Sequence, residues 1–167
     1  VKDPAVISQL VELVTKEGKS PKTEFVGKSA KYILDKIGIT VGDDVKVILM
    51  EAKEDHPFVP VELMMPILPL VRVPDVDQAI EMAVRVEHGN RHTAMMHSRN
   101  VEKLTKMAKL IQTTIFVKNG PSYAGIGVGG EGYTTFTIAG PTGEGLTSAK
   151  SFARRRRCVL VGGMDVR

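Results

Sequence analysis

The sequence predicts an α/β fold with a largely parallel sheet and helices on both of its faces. Short apolar stretches rich in β-branched residues alternate along the chain with helical repeats of about a dozen residues, and capping residues or glycine stand between them. This alternation is typical of βαβ units, in which crossover helices cover a parallel sheet. The length of 167 residues, of which 43% are hydrophobic, suits one ordinary domain.

The chain opens with two predicted helices. Apolar residues recur at helical spacing over residues 5–14, directly after Asp3 and Pro4, which suit the N-cap and the first turn of a helix. A shorter helix is predicted over residues 30–37, where Gly38 closes it. Both helices precede every predicted strand.

Four short apolar stretches predict strands, and two further helices lie between the later ones. Asp75 and Asn100 are good N-cap residues, and each precedes a run in which apolar residues recur every three to four positions. The predicted strands are residues 45–50, 67–73, 93–97 and 113–117.

The last third of the chain has a different character. Residues 119–145 are rich in glycine, serine and threonine, with one β-prone stretch at 133–138. An irregular segment of this length in a compact domain is usually functional or part of an interface. The basic residues 154–161 then predict a closing strand.

Composition excludes several classes of function. The single cysteine excludes a disulfide scaffold and favours a reducing compartment. No apolar run reaches the roughly 18–20 residues of a membrane span. The net charge of +4 permits an anionic partner, but aromatic residues make up only 5% and do not alternate with basic residues, which argues against nucleic acid.

A glycine motif at Gly125–Gly130 matches the spacing G-x-G-x-x-G. A dinucleotide-binding loop needs a strand directly before this motif and a helix N-terminus directly after it. The residues that follow, 133–138, favour extended structure instead. We therefore expect a flexible or pocket-lining loop rather than a nucleotide loop.

Histidine and cysteine residues give weak signals. His88, His92 and His97 lie close together, but Gly89 interrupts any helix that would align the first two, and no nearby cysteine or carboxylate completes a set of ligands. No metal site is therefore expected. Cys158 follows four arginines, yet no glycine elbow or helix N-terminus presents it, so a structural cysteine in an exposed or interface strand is expected.

Glu62 is the one unusual charge, because it lies between Pro60 and Pro66 in an otherwise apolar run. A carboxylate in such surroundings must be paired, hydrogen-bonded or directed at a ligand, since burying it alone is too costly. Residue chemistry by itself leaves a structural partner and a ligand equally open.

Several long motifs, in the right order, resemble the C-terminal part of CoA-acylating aldehyde dehydrogenases. The nearest resemblance is to the propionaldehyde and acetaldehyde type of propanediol- and ethanolamine-utilisation microcompartments. It runs over essentially all of this chain and over roughly the last third of the family's usual length. The segments that carry it are residues 56–59, 62–69, 87–94, 113–119, 135–145 and 149–160.

The resemblance implies a reaction in two halves. In the family, a cysteine thiolate attacks the aldehyde, NAD⁺ accepts hydride, and coenzyme A takes the acyl group from the enzyme thioester. Glu62 occupies the place where the superfamily holds the nicotinamide ribose hydroxyls, which favours the ligand for this carboxylate. Met64 stands where hydrolytic relatives often carry an aromatic residue beside the cofactor.

The resemblance also implies four residues of the substrate pocket. Asn119 matches an asparagine at the end of the strand before the substrate loop, and Thr137 and Ile138 are approximate matches to residues that line the pocket. His92 belongs to a His-Thr pair typical of acylating members, near coenzyme A or the pocket. The family nucleophile and the Rossmann half are expected upstream of Val1, so no catalytic residue is assigned in this chain and Cys158 is not the nucleophile.

Domain organisation and partners follow from the same resemblance. Residues 1–150 are expected to be the C-terminal portion of the catalytic domain, and residues 151–167 an oligomerisation strand and tail. The expected partners are a small aldehyde, the missing N-terminal half, further copies in a homo-oligomer and a microcompartment shell. The expected location is the cytoplasm or the interior of such a compartment, without a nucleic-acid or membrane partner.

Two hypotheses about function follow from this reading. The first is an enzyme whose isolated fragment does not turn over. The alternative is a free-standing, non-enzymatic module for assembly, whose exposed apolar patches would drive self-association. The density of motifs around Glu62 and the glycine-rich loop favours the enzyme.

Overall fold

A computed structural model of the chain describes residues 1–130, 152–159 and 161. The chain divides into two compact units, Val1–His88 and Gly89–Arg167. The β-prone stretch at 133–138 lies outside the described residues.

The first unit opens with helix α1, Pro4–Val14, and a small hairpin. The carboxylate of Asp3 accepts a hydrogen bond from the Ala5 amide at 2.8 Å, which caps the helix as predicted. Strands β1, Thr15–Lys16, and β2, Ser20–Pro21, then pair antiparallel around a turn in which Glu17 and Gly18 have positive φ. This hairpin is not predicted from the sequence, because a Glu-Gly pair is not among the usual turn signals.

Helix α2, Ala30–Asp35, forms where predicted. Its N-cap is Ser29, whose hydroxyl accepts a hydrogen bond from the Tyr32 amide at 3.2 Å. Gly38, with φ +77°, follows the helix.

Strands β3, Ile48–Ala52, and β4, Ile67–Val71, pair in parallel with Ile48 opposite Ile67. Residues alternate between the two faces of the pair, so Ile48 and Ile67 are buried whereas Leu49 and Leu68 are exposed. The connection at 53–66 contains no helix, and its three prolines explain why, since proline breaks a helix interior.

Helix α3, Val76–Val86, ends the first unit. The Asp75 carboxylate accepts from the Gln78 amide at 2.9 Å. The core of this unit joins α1, α2, β3, β4 and the connection between the two strands, and its buried members include Leu10, Val14, Phe25, Ile33, Met50, Phe58, Leu63 and Ile67.

The second unit contains one complete βαβ element. Strand β5, Thr93–Met96, leads into helix α4, Val101–Ile111, whose N-cap Asn100 accepts from the Lys103 amide at 3.0 Å. Strand β6, Ile115–Lys118, then pairs in parallel with β5. The buried residues of α4 and β6 are Leu104, Met107, Ile111, Ile115 and Val117.

The structure confirms the α/β class and parallel pairing, and it corrects one detail. The described strands form three separate two-stranded sheets rather than one sheet. The strand predicted at 154–161 is not confirmed, because residues 154–159 have no regular structure and residues 152–159 are all exposed. A strand obtains its backbone hydrogen bonds from a neighbouring strand, and no described strand pairs with this segment.

None of the helices in the described part of the chain is long and apolar enough to cross a bilayer.

Truncation of Leu10 to alanine tests the core of the first unit. Leu10 is fully buried, so Leu10→Ala should lower the free energy of unfolding by about 2–5 kcal/mol, because it removes apolar contacts and leaves a cavity. Urea denaturation gives the measurement. Val101→Ala, at a side chain 69% exposed, is the control and should change stability by about 0.5 kcal/mol or less. Equal losses in both variants would contradict the assigned core.

Candidate functional site

The connection between β3 and β4 presents Glu62 to solvent. Leu63 is buried, with 5% of its surface exposed, while Glu62 and Met64 on either side of it are exposed. Two backbone hydrogen bonds hold the end of the connection: the Gly27 amide donates to the Met64 carbonyl at 3.1 Å, and the Ile48 amide donates to the Pro66 carbonyl at 2.8 Å. Glu62 therefore projects from a firmly held segment of backbone.

The Glu62 carboxylate forms no hydrogen bond or ion pair with another described residue. Nearby carboxylates behave differently. Glu51 pairs with Arg72 at 2.9 Å, and both oxygens of Glu54 accept from Arg85. A structural partner, which the sequence left open for Glu62, is absent from the described part of the chain. The Glu62 side chain is exposed, because Leu63 takes the core position beside it.

Met64 has a left-handed backbone with φ +54° and a side chain 57% exposed. This conformation is unfavourable for a residue with a side chain and is tolerated because the neighbouring hydrogen bonds fix it. The predicted cofactor residues Glu62 and Met64 thus lie together on one exposed surface.

His56 lies in the same connection. It was not singled out as a site residue from the sequence. Its Nδ1 accepts a hydrogen bond from the Phe58 amide at 3.2 Å, and its ring meets the buried Phe58 ring edge-on at 5.1 Å. Burial lowers the pKa of His56, and the nearby Asp55 carboxylate opposes that shift. The ring also lines a cleft of about 560 Å³ between α1 and residues 51–57.

His92 and Asn119 lie at opposite ends of the β5–β6 pair. The His92 carbonyl accepts from the Ile115 amide at 3.2 Å at the start of the strands, and its Nδ1 lies 2.9 Å from the Thr93 hydroxyl. Asn119 follows the last residue of β6. A strand rises about 3.3 Å per residue, so four paired residues separate the two side chains by more than about 13 Å, and the structure does not bring them together.

A cleft of about 650 Å³ lies at the carboxyl end of β6. Its walls are the end of that strand, Asn119, Gly120 and the glycine motif that includes Gly125 and Gly130. A Cβ at Gly125 would overlap the Ile115 side chain, and one at Gly130 would lie 2.8 Å from the Ala124 Cβ. The motif therefore lines a cleft, as predicted, because only glycine permits this close packing.

The glycine motif does not open an α-helix at its start. Gly125 lies within a short 3₁₀ helix, Ser122–Ile126, rather than in the turn between a strand and an α-helix. The remaining predicted pocket residues, Thr137 and Ile138, lie outside the described residues.

Cys158 and the possible metal ligands are the remaining residues considered from the sequence. Cys158 is exposed and has no regular structure, so its prediction as a residue of an exposed or interface strand is not confirmed in the described segment. Among residues 1–130, 152–159 and 161, no group of three or more histidine, cysteine or carboxylate side chains could hold a metal ion.

Comparison with known proteins confirms the resemblance of this α/β chain to acylating aldehyde dehydrogenases. The chain is 52% identical to the propanal dehydrogenase (CoA-propanoylating) of Salmonella typhimurium over 98% of its own length and 35% of that protein's length. No protein-family model matches the chain.

Solved structures with 69% identity to the chain include two that cover it completely and of which it covers 38%. One is the propionaldehyde dehydrogenase of Rhodopseudomonas palustris with bound CoA and an acylated cysteine, with a TM-score of 0.89. The other is an engineered glycolyl-CoA reductase with bound NADP⁺, with a TM-score of 0.88. The chain thus spans little more than a third of the proteins it matches.

Substitution of Gly125 tests the cleft wall. Gly125→Ala should lower the free energy of unfolding by about 1–3 kcal/mol, because the new methyl group overlaps Ile115 in a packed position. Thermal and urea unfolding measure the change. The control is Gly42→Ala, where the new Cβ would meet only the Asp44 carboxylate, the end of an exposed side chain that can turn away. A Gly125→Ala variant as stable as this control would show that the wall is not packed as described.

The pH dependence of stability tests the environment of His56. Its pKa is lower in the folded state than in the unfolded state, so the unfolded chain binds the proton more readily. The stabilising contribution of neutral His56 is complete above the ordinary histidine pKa of about 6.5 and is lost as the pH falls through that value towards the lower folded-state pKa. His56→Gln should remove this part of the acid-side loss in urea titrations. Parallel pH curves for the native chain and His56→Gln would refute the assignment.

Proposed function

We propose that this chain is the C-terminal part of a CoA-acylating aldehyde dehydrogenase. The enzyme converts a short-chain aldehyde, acetaldehyde or propionaldehyde, into its acyl-CoA with NAD as the hydride acceptor. The observation that carries the proposal is the exposed carboxylate of Glu62, which has no partner among the described residues and lies on a firmly held connection in a motif that resembles the nicotinamide site of this family.

The chemistry of Glu62 suits the hydroxyls of a ribose. An ionised carboxylate only accepts hydrogen bonds, and its two oxygens can accept one from each of two adjacent hydroxyl groups. Such bonds to a charged acceptor are shorter and stronger than neutral ones. The neighbouring Glu51 and Glu54 have arginine partners, whereas Glu62 has none among the described residues and remains available to a ligand. The nicotinamide, when bound, supplies the hydride-accepting ring.

The rest of the reaction depends on a cysteine that lies outside this chain. Its thiolate adds to the aldehyde carbon, hydride leaves that carbon for the nicotinamide, and an enzyme thioester remains. The thiol of coenzyme A then attacks the acyl carbon, and the cysteine thiolate leaves. Glu62 contributes to the first half by orienting the cofactor, with Met64 beside it, and His92, Asn119, Thr137 and Ile138 contribute around the substrate and coenzyme A.

The proposed domain organisation of the chain is based on the motifs that resemble the family. Residues 1–150 form the C-terminal portion of the catalytic domain, and residues 151–167 form a strand and tail that join a neighbouring subunit of a homo-oligomer. Residues 152–159 are exposed, Phe152 by 81% and Val159 by 69%, which supports a role in contact with another chain. The remaining partners are the N-terminal part of the enzyme and a microcompartment shell, with the enzyme in the cytoplasm or inside such a compartment.

A grafted enzyme tests the function. In this protein, residues 1–167 replace the matching 38% of the Rhodopseudomonas palustris propionaldehyde dehydrogenase. The unmodified graft should reduce NAD in the presence of propionaldehyde and coenzyme A. Glu62→Gln should slow hydride transfer or weaken NAD binding by about 10- to 100-fold, because it removes hydrogen bonds to a charged group that are worth about 1.5–3 kcal/mol.

The control for this experiment is Glu54→Gln in the same connection. It breaks an exposed ion pair with Arg85, which is worth at most about 1 kcal/mol, and should leave the kinetics nearly unchanged. Stopped-flow absorbance of the reduced nicotinamide gives the rate. Native kinetics in Glu62→Gln would refute the ribose role, and an inert, correctly folded graft would favour the assembly module.

A further inference from the structure

Asn119 makes three hydrogen bonds with the end of strand β5. Its side-chain oxygen accepts from the Ser98 amide at 2.7 Å, and its side-chain nitrogen donates to the Ser98 carbonyl at 3.0 Å. Its own amide donates to the Met96 carbonyl at 3.0 Å. The orientation of the side-chain amide is fixed by this pattern, since Ser98 offers one donor and one acceptor.

The backbone conformation of Asn119 explains why its side chain, rather than the backbone of β6, bonds to Ser98. Asn119 has φ +57°, so the chain turns into the left-handed region directly after the last strand pair, Met96 with Lys118. From that point the backbone of β6 no longer follows β5. The side-chain amide, which has the same donor and acceptor groups as a peptide, continues the pairing to Ser98. Asparagine tolerates this backbone region better than most residues.

The same residue begins the wall of the cleft at the carboxyl end of β6. Gly120 follows it directly, and Gly125 and Gly130 complete the glycine-lined side. The side-chain oxygen of Asn119 accepts one hydrogen bond from Ser98 and its side-chain nitrogen donates one to Ser98, so both polar groups are held towards the end of β5. Through these bonds Asn119 acts on the cleft by fixing the backbone that begins its wall.

We propose that Asn119 is a positioning residue that joins the ends of β5 and β6 and thereby sets the glycine wall of the cleft, rather than a residue that contacts substrate. The identification of the cleft as the substrate site rests on the proposed function. The joining of the two strands does not, since it is defined by the bonds to Ser98.

Hydrogen exchange in the chain of residues 1–167 tests the joining of the strands. Asn119→Gly keeps the left-handed backbone but removes both side-chain bonds, so exchange of the Ser98 amide should rise by about 10-fold, the factor that corresponds to a hydrogen bond of about 1.4 kcal/mol. Asn119→Asp keeps the oxygen that accepts from Ser98 and should retain most of the protection. The Gly120 and Gly125 amide resonances should shift in Asn119→Gly.

The matched control is Gln112→Gly. Gln112 also has a left-handed backbone, with φ +49°, and is exposed at the end of α4. Its replacement by glycine gives the same backbone freedom without removing a bond to Ser98. Exchange at Ser98 and the resonances of the two cleft glycines should not change. Unchanged Ser98 exchange in Asn119→Gly, or unchanged resonances of both glycines, would overturn the proposal.

Kinetics in the grafted enzyme separate positioning from contact. If Asn119 acts through the backbone, the KM for aldehyde should rise about 10-fold in Asn119→Gly and much less in Asn119→Asp, in step with the exchange at Ser98, while the KM for NAD stays constant. Equal damage in both variants, with Ser98 still protected in Asn119→Asp, would indicate direct contact and overturn the proposal. An inactive graft with the unaltered chain would refute the proposed function, whereas exchange and resonances in the 167-residue chain would still decide the role of Asn119.

Discussion

The burial of Leu63 is the constraint on which the arrangement of the candidate cofactor surface depends. The connection between β3 and β4 has no helix, so it cannot bury a continuous apolar face and is held instead by single residues. Leu63 and Phe58 enter the core, and the Gly27 amide binds the carbonyl of Met64. With Leu63 directed inward, its two neighbours are directed to solvent. A carboxylate is thereby exposed on a stretch of backbone that is itself fixed, which is what recognition of a ligand requires.

In the second unit, a βαβ element rather than a connection without a helix positions the candidate site. Its βαβ element places the carboxyl ends of β5 and β6 at one edge, where loops can form a cleft. Close approach of the glycine motif to β6 depends on Ile115, which leaves no room for a side chain at Gly125. In both units, a buried apolar residue fixes the backbone, and the exposed groups beside it are available to a ligand.

Much of the fold could be predicted because its signals are local. Asp3, Asp75 and Asn100 cap their helices as expected, and each main helix lies within a few residues of its predicted bounds. The hairpin at 15–21 was missed because a Glu-Gly turn carries no strong sequence signal. The prediction of a single sheet was wrong, because strand pairing is a long-range property that periodicity does not encode. For the candidate site, an odd charge singled out Glu62 in the sequence, but its exposure depends on the burial of the next residue. The bonds of Asn119 to Ser98 depend on a positive φ that no pattern revealed.

A crystal structure of the grafted enzyme with NAD tests most directly whether Glu62 is held free to bind the nicotinamide ribose. Both carboxylate oxygens of Glu62 should lie within about 3.2 Å of the ribose hydroxyls, with the Gly27 amide still bound to the Met64 carbonyl. A well-ordered ribose whose hydroxyls lie more than about 4 Å from Glu62, and are bound by other groups, would contradict it.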